Sequence, residues 1–197
     1  MKESKMVKTV VLVIFICILL LGGYAYVAQR NVKSLKNHEL KEIDRLLLYD
    51  LEKEYPHSPR DVVKLYSEML SCVYNQKLKE DDLKNMVRQM RKLYDKELAE
   101  DINNTEQNQI NALNKEMEES GKDDHKITSF KLMEASQIEY GEVDGKQAAM
   151  VDVTYTLRYG NEYPKQSQTY ILVQDDEEHW KILGWQDTQQ PQSIEKK

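Results

Sequence analysis

Val10 to Ala28 reads VVLVIFICILLLGGYAYVA, nineteen residues without a charge. No other feature constrains the chain as strongly. Nineteen helical residues rise roughly 28 Å, close to the ~30 Å hydrocarbon core of a bilayer. A buried helix of a soluble core rarely runs so far without a polar face. Residues 10–28 are therefore expected to form a transmembrane helix behind a short basic tail, residues 1–9. Gly23-Tyr24-Ala25 also fits the small-residue pattern of a cleavage site after Ala25, although the apolar run continues past it. No cysteine follows the run, so it offers no lipoprotein attachment site. Lys2, Lys5 and Lys8 precede the span, and Arg30, Lys33, Lys36 and Lys41 follow it. With basic residues on both flanks, the positive-inside rule alone does not set the orientation. A short basic tail before an apolar run has the form of a signal-anchor. The expected topology is a single pass through the cell membrane, N-terminus inside and domain outside.

The rest of the chain is polar, which the mean hydropathy of -0.72 conceals by averaging it with the apolar block. The net charge is -6, and residues 1–28 contribute +2, leaving -8 for the remainder. So acidic a domain lacks the basic surface that phosphate backbones require, which excludes general nucleic-acid binding. Cys17 lies in the apolar block, so the domain holds one thiol, Cys72, and neither an internal disulfide nor a cysteine zinc site can be built.

Residues 29–54 contain no Gly or Pro and keep an imperfect helical period through Leu40, Ile43, Leu47 and Leu51. They read as a helical stalk whose last turns pack on the domain, ended by Tyr55-Pro56. Ser58-Pro59-Arg60-Asp61 then gives a capping Ser, a Pro at the first helical position and an acid three residues past the cap. Val62, Leu65, Tyr66, Met69, Leu70 and Val73 make the apolar stripe of a helix running to about Tyr74. A second helix opens at Glu80-Asp81-Asp82, with a stripe from Leu83 through Met90, Leu93 and Tyr94 to Leu98. A third opens near Asn104 or Thr105.

The period changes after Gly121. Val151, Val153, Tyr155, Leu157 and Tyr159 alternate with polar residues, as a half-buried antiparallel strand does. Asp144-Gly145 is a hairpin turn joining it to one long strand over Ile127–Glu142, with Gly141 as a candidate bulge. Tyr163–Gln174 and His179–Gln186 read as two further strands, and residues 188–197 as a disordered tail. The expectation is an α+β fold: a transmembrane helix and stalk, then three helices packed on a curved four-stranded antiparallel sheet.

SPRDVVKLYSEML followed by long hairpin strands ending in WKILGW resembles the nuclear transport factor 2-like superfamily over residues 55–187. The resemblance implies a cone, with helices inside a strongly curved sheet and an interior that can be an open pocket. The combination of anchor, YPHSPRDVVKLY, LYDKEL and WKILGW is similar to an uncharacterised family of membrane-anchored proteins from Gram-positive gut bacteria. The superfamily fold usually has strand pieces or a short hairpin earlier, and none is read before Ile127.

Tyr66, Met69, Tyr94 and Tyr155 are the candidate cone lining, with no carboxylate or His on the same faces to tune into a general base. Asp152 falls on the opposite, solvent-side set. Trp180 and Trp185 have opposite parity on the last strand. Trp180 and Ile182 are expected inward, leaving Trp185 exposed as a candidate partner contact. The four histidines, His38, His57, His125 and His179, show no ligand spacing, and no cofactor or metal is expected. These readings favour a non-enzymatic interaction or assembly module, with a protein partner or a second copy. Small-molecule binding in the cone is the alternative, and an isomerase-like or hydrolytic enzyme a further one. Protease added to intact cells is expected to digest the domain, and a domain that resists until lysis would overturn its placement outside.

Overall fold

Ser58 opens the longest helix among the described residues as its sequence requires. Its Oγ accepts from the Asp61 amide at 3.1 Å and donates to the Asp61 carboxylate at 2.6 Å, with Pro59 at the first helical position. The structure, a computed structural model, describes residues 42–76, 78–120 and 126–188. Among these no helix is long and apolar enough to cross a membrane. The span read over residues 10–28, residues 29–41 of the stalk, His38, His125 and the tail from residue 189 lie outside them.

The helices are α1 (Glu42–Leu47), α2 (Pro59–Asn75), α3 (Glu80–Arg91), α4 (Lys96–Glu100) and α5 (Glu106–Ser120). The strands are β1 (Lys126–Leu132), β2 (Glu139–Val143), β3 (Lys146–Arg158), β4 (Lys165–Gln174) and β5 (Trp180–Asp187). All pair antiparallel in one curved sheet, in the order β1-β3-β4-β5, with β2 also on β3. The α+β class therefore holds, with five described helices and five strands where three domain helices and four strands were read.

The extra strand comes from a break. The stretch expected to run unbroken over Ile127–Glu142 leaves β3 after Leu132, makes a 3-10 turn at Ala135–Gln137, and rejoins β3 at Glu139. Glu134 and Gln137 cap each other's backbone amides across that turn. Gly141 pairs with Ala148 in regular register and marks no bulge. The register shifts fall instead at Ile127/Ser129 and where β5 passes Ile171/Leu172. Asp144 (φ 48°) and Gly145 (φ 80°) form the expected hairpin turn, both residues in the left-handed region that this tight turn demands.

The second expected helix is also interrupted. α3 ends at Arg91, the chain turns through Lys92 and Leu93, and Tyr94 makes an isolated parallel bridge to Ile182 of β5. The Ile182 amide donates to the Leu93 carbonyl and the Asp95 amide to the Ile182 carbonyl, both at 2.8 Å. Asp95 then caps α4. The expected stalk helix ends at Leu47, and Gln89 Nε2 donates to the freed carbonyls of Leu47 and Tyr49. Leu46 and Leu51 are buried, so this stretch packs as part of the domain.

α2 lies across one face of the sheet and grips β1 at both ends. Arg60 Nε donates to the Met133 carbonyl at 3.0 Å. Asn75 acts as a substitute strand residue: its Nδ2 donates to the Ile127 carbonyl at 2.8 Å and its Oδ1 accepts from the Ile127 amide at 3.0 Å. The core lies between, with Val62, Met69 and Val73 of α2 and Met86 and Met90 of α3 packed in one cluster with Val151, Val153, Leu172 and Ile182. Asn75→Ala is expected to lower unfolding stability by about 1–3 kcal/mol in urea titration, because two backbone groups of Ile127 lose their partner.

Candidate functional site

Tyr66 on α2 and Tyr155 on β3 were both expected on apolar faces, and the fold turns those faces toward each other. Between them, α5 and the ends of β3, β4 and β5 lies a pocket of about 530 Å³. Helix α2 contributes Tyr66, Leu70 and Tyr74. The sheet contributes Tyr155, Leu157, Gln168, Tyr170 and Trp185, and α5 supplies Asn108, Gln109, Ala112 and Glu116.

Of the residues expected to line the cone, Tyr66 and Tyr155 do so. Met69 is fully buried in the core and does not reach the pocket. Tyr94 stands behind the wall, its hydroxyl 3.2 Å from that of Tyr66. Trp185 is the main departure from parity. Leu172 pairs with Ile182, Ile171 with Gly184 and Tyr170 with Trp185, so Leu183 is an extra residue in β5. That bulge shifts the alternation by one and turns Trp185 to the same face as Ile182. Its ring centroid lies 6.0 Å from those of Tyr66 and Tyr170 and 6.1 Å from that of Tyr94, an aromatic cluster at the pocket wall. Trp185 is 40% exposed, at the mouth, while Trp180 is buried as expected. Asp152 stays on the far face, where its Oδ1 accepts from Thr169 Oγ1 at 2.6 Å.

The buried hydroxyls bond to one another in two groups. Ser67 Oγ is 2.8 Å from Tyr155 Oη, which is 2.9 Å from Tyr170 Oη, which donates to Gln168 Oε1 at 3.3 Å. With the Tyr170 proton given to Gln168, Tyr155 donates to Tyr170 and Ser67 to Tyr155. A second group joins Tyr66, Tyr94 and Gln109, whose Nε2 donates to Tyr94 Oη at 2.8 Å. Burial, acting first, pushes the phenol pKa of Tyr66 and Tyr170 well above its ordinary value. It raises those of Tyr94 and Tyr155 too, against hydrogen bonds that pull them down. Tyr74 is raised by burial and then by the Glu116 carboxylate it faces. At neutral pH these hydroxyls keep their protons and act as hydrogen-bond donors and acceptors.

The rim is held from outside. Both terminal nitrogens of the Arg91 guanidinium donate to backbone carbonyls, those of Asn104 and Ala99, and Asn104 Nδ2 donates to the Leu98 carbonyl at 2.9 Å. The loop carrying Asn103 and Asn104 is thereby fixed at the pocket edge. Tyr170, Gln168 and the rim amides were missed in the sequence. YILV within β4 shows no alternation from which an inward parity could be read, and Asn and Gln residues give no signal before the fold gathers them. Among the described residues no cluster of His, Cys, Asp and Glu could hold a metal. Cys72 is buried, and burial raises its thiol to about 11.

Tyr66 and Tyr170 keep their protons in the folded state after the unfolded chain would lose them near pH 10. Their contribution to stability is therefore complete below that pH and is lost as pH rises above it. Urea midpoints are expected to fall between pH 9 and about 11, and replacing both residues by Phe is expected to flatten that fall.

Over residues 1–185 the chain matches the family model described as a domain of unknown function, DUF6715, and it belongs to that family. No curated protein matches it.

Proposed function

We propose that this DUF6715 protein is a membrane-tethered, extracytoplasmic binding domain whose cone pocket holds a small molecule. The carrying observation is the pocket of about 530 Å³ between the aromatic wall and α5. Its volume falls within the range of roughly 300–1,000 Å³ typical of ligand sites, and it joins apolar walls to a few convergent polar groups. A module that interacts through its outer surface needs no cavity, and Met69, Met90 and aromatic rings could fill its cone. Met69 and Met90 do fill the depth, but Tyr66, Tyr155, Tyr170 and Trp185 stand around open space. A curved antiparallel sheet with helices on one face supports the nuclear transport factor 2-like relationship. The uncharged span at residues 10–28 supports the tether. Binding is favoured over catalysis because the pocket tyrosine hydroxyls are tied into hydrogen bonds with Ser67 and with one another.

Ala112 lies on the exposed side of α5 and lines the pocket, so a large side chain there obstructs it without entering the core. In a thermal-shift screen of a diverse compound library, ligands that stabilise the wild type are expected to lose that effect on Ala112→Trp, whose own melting changes little. A library in which no compound distinguishes the two proteins would reject the reading.

A further inference from the structure

The chemistry of the pocket wall narrows the ligand class, an inference that rests on the binding reading above. One side is aromatic, with Trp185, Tyr66 and Tyr170. Carboxamides also line the pocket, four of them anchored by one half. Gln168 Oε1 accepts from Tyr170, and its amide nitrogen has no partner among the described residues. Gln166 Nε2 donates to Asp187 at 3.4 Å, and its oxygen has none there either. Asn104 and Asn108 donate to the Leu98 and Asn103 carbonyls, and their side-chain oxygens are unengaged by the described residues. Anchored amides with one free half are oriented before a ligand arrives, which reduces the ordering cost of binding.

The Tyr66–Tyr94 pair adds an independent sign. Two hydroxyl hydrogens are present, and the mutual contact uses one. Gln109 is bound to Tyr94 as a donor, so it cannot accept the other through that contact. Whichever tyrosine donates, one buried O–H has no acceptor among the described residues. Both tyrosines are only 4% exposed, and Tyr66 is on the pocket wall. A buried donor left without an acceptor is costly, and a ligand oxygen at Tyr66 removes the cost.

The ionic groups on the wall are Glu116 and Lys126, one of each sign, so no net charge selects an ion. A hydrocarbon chain would cover the free amide halves without partnering them. We infer that the pocket takes a neutral polyhydroxylated ring, a saccharide, with its C–H face on the Trp185 indole and its hydroxyls on the carboxamides and Tyr66. Each sugar hydroxyl both donates and accepts, which suits a wall offering a free amide N–H at Gln168 and free amide oxygens at Gln166, Asn104 and Asn108.

The test uses the full-length chain in a zwitterionic detergent without sugar headgroups. The probes are glucose, N-acetylglucosamine, xylose and cellobiose, with laurate and inorganic phosphate as the apolar and anionic alternatives. Trp180→Phe leaves Trp185 as the sole indole reporter. Saturable change in its emission with a saccharide is expected at millimolar concentration. Calorimetry is expected to show about fivefold weaker binding for Trp185→Ala and for Gln168→Ala. Gln168 is half-buried on the sheet, and an unchanged melting temperature separates its loss of binding from misfolding. Uptake of laurate or phosphate in place of saccharides would overturn the class while leaving the pocket reading intact. Saccharide binding that neither variant weakens would overturn the assignment to these residues. Silence from every probe would overturn the saccharide class, and the library screen against Ala112→Trp then decides the pocket reading on its own.

Discussion

The thirteen-residue strand β3 is the constraint on which everything else depends. Its amides and carbonyls pair with β4 on one side and with β1 and β2, end to end, on the other. Its inward side chains grow along the strand, from Ala149 through Val151 and Val153 to Tyr155 and Leu157. Small residues at the start let opposing elements approach closely. At the other end Tyr155 reaches Ser67 of α2 by its hydroxyl, 2.8 Å away. The taper of the interior is thus written into one alternation, and the pocket lies at the wide end.

The wide end is held open by polar bonds more than by packing. A ring of hydroxyls and amides inside an apolar shell is costly unless each member has a partner. Ser67, Tyr155, Tyr170 and Gln168 meet that demand as a directed chain, so α2, β3 and β4 are kept at fixed spacing without filler between them. Arg91 does the equivalent at the rim by serving the carbonyls of Ala99 in α4 and Asn104 in the loop after it.

Much of this was legible because local signals and tertiary needs coincide. The Ser58 cap, the Asp144-Gly145 turn and the alternation in β3 are each set by backbone chemistry within a few residues. The failures share a cause: a break that preserves the period on either side of it. Leu93, Tyr94 and Leu98 continue the stripe of α3, yet the edge of β5 takes Tyr94 into a strand bridge. The kink at Ala135–Gln137 contains neither Gly nor Pro, so β1 and β2 read as one strand. Leu183 inserts one residue and reverses the face of Trp185, with adjacent Gly184 the sole sequence hint. Tyr66 and Tyr155 could be placed at the site from period alone. The carboxamides could not, because an amide side chain looks like ordinary surface until two distant elements bring it to one wall.

The Tyr94 bridge has a consequence for the company the domain can keep. An open sheet edge is a template on which a neighbouring chain can add a strand. On β5 the edge groups of Ile182 are already taken by Leu93 and Asp95. On the opposite side, Asn75 occupies the amide and carbonyl of Ile127, and the 3-10 turn divides that edge into two short pieces. With edge groups occupied on both margins and one margin broken, the sheet offers an added strand few places to begin.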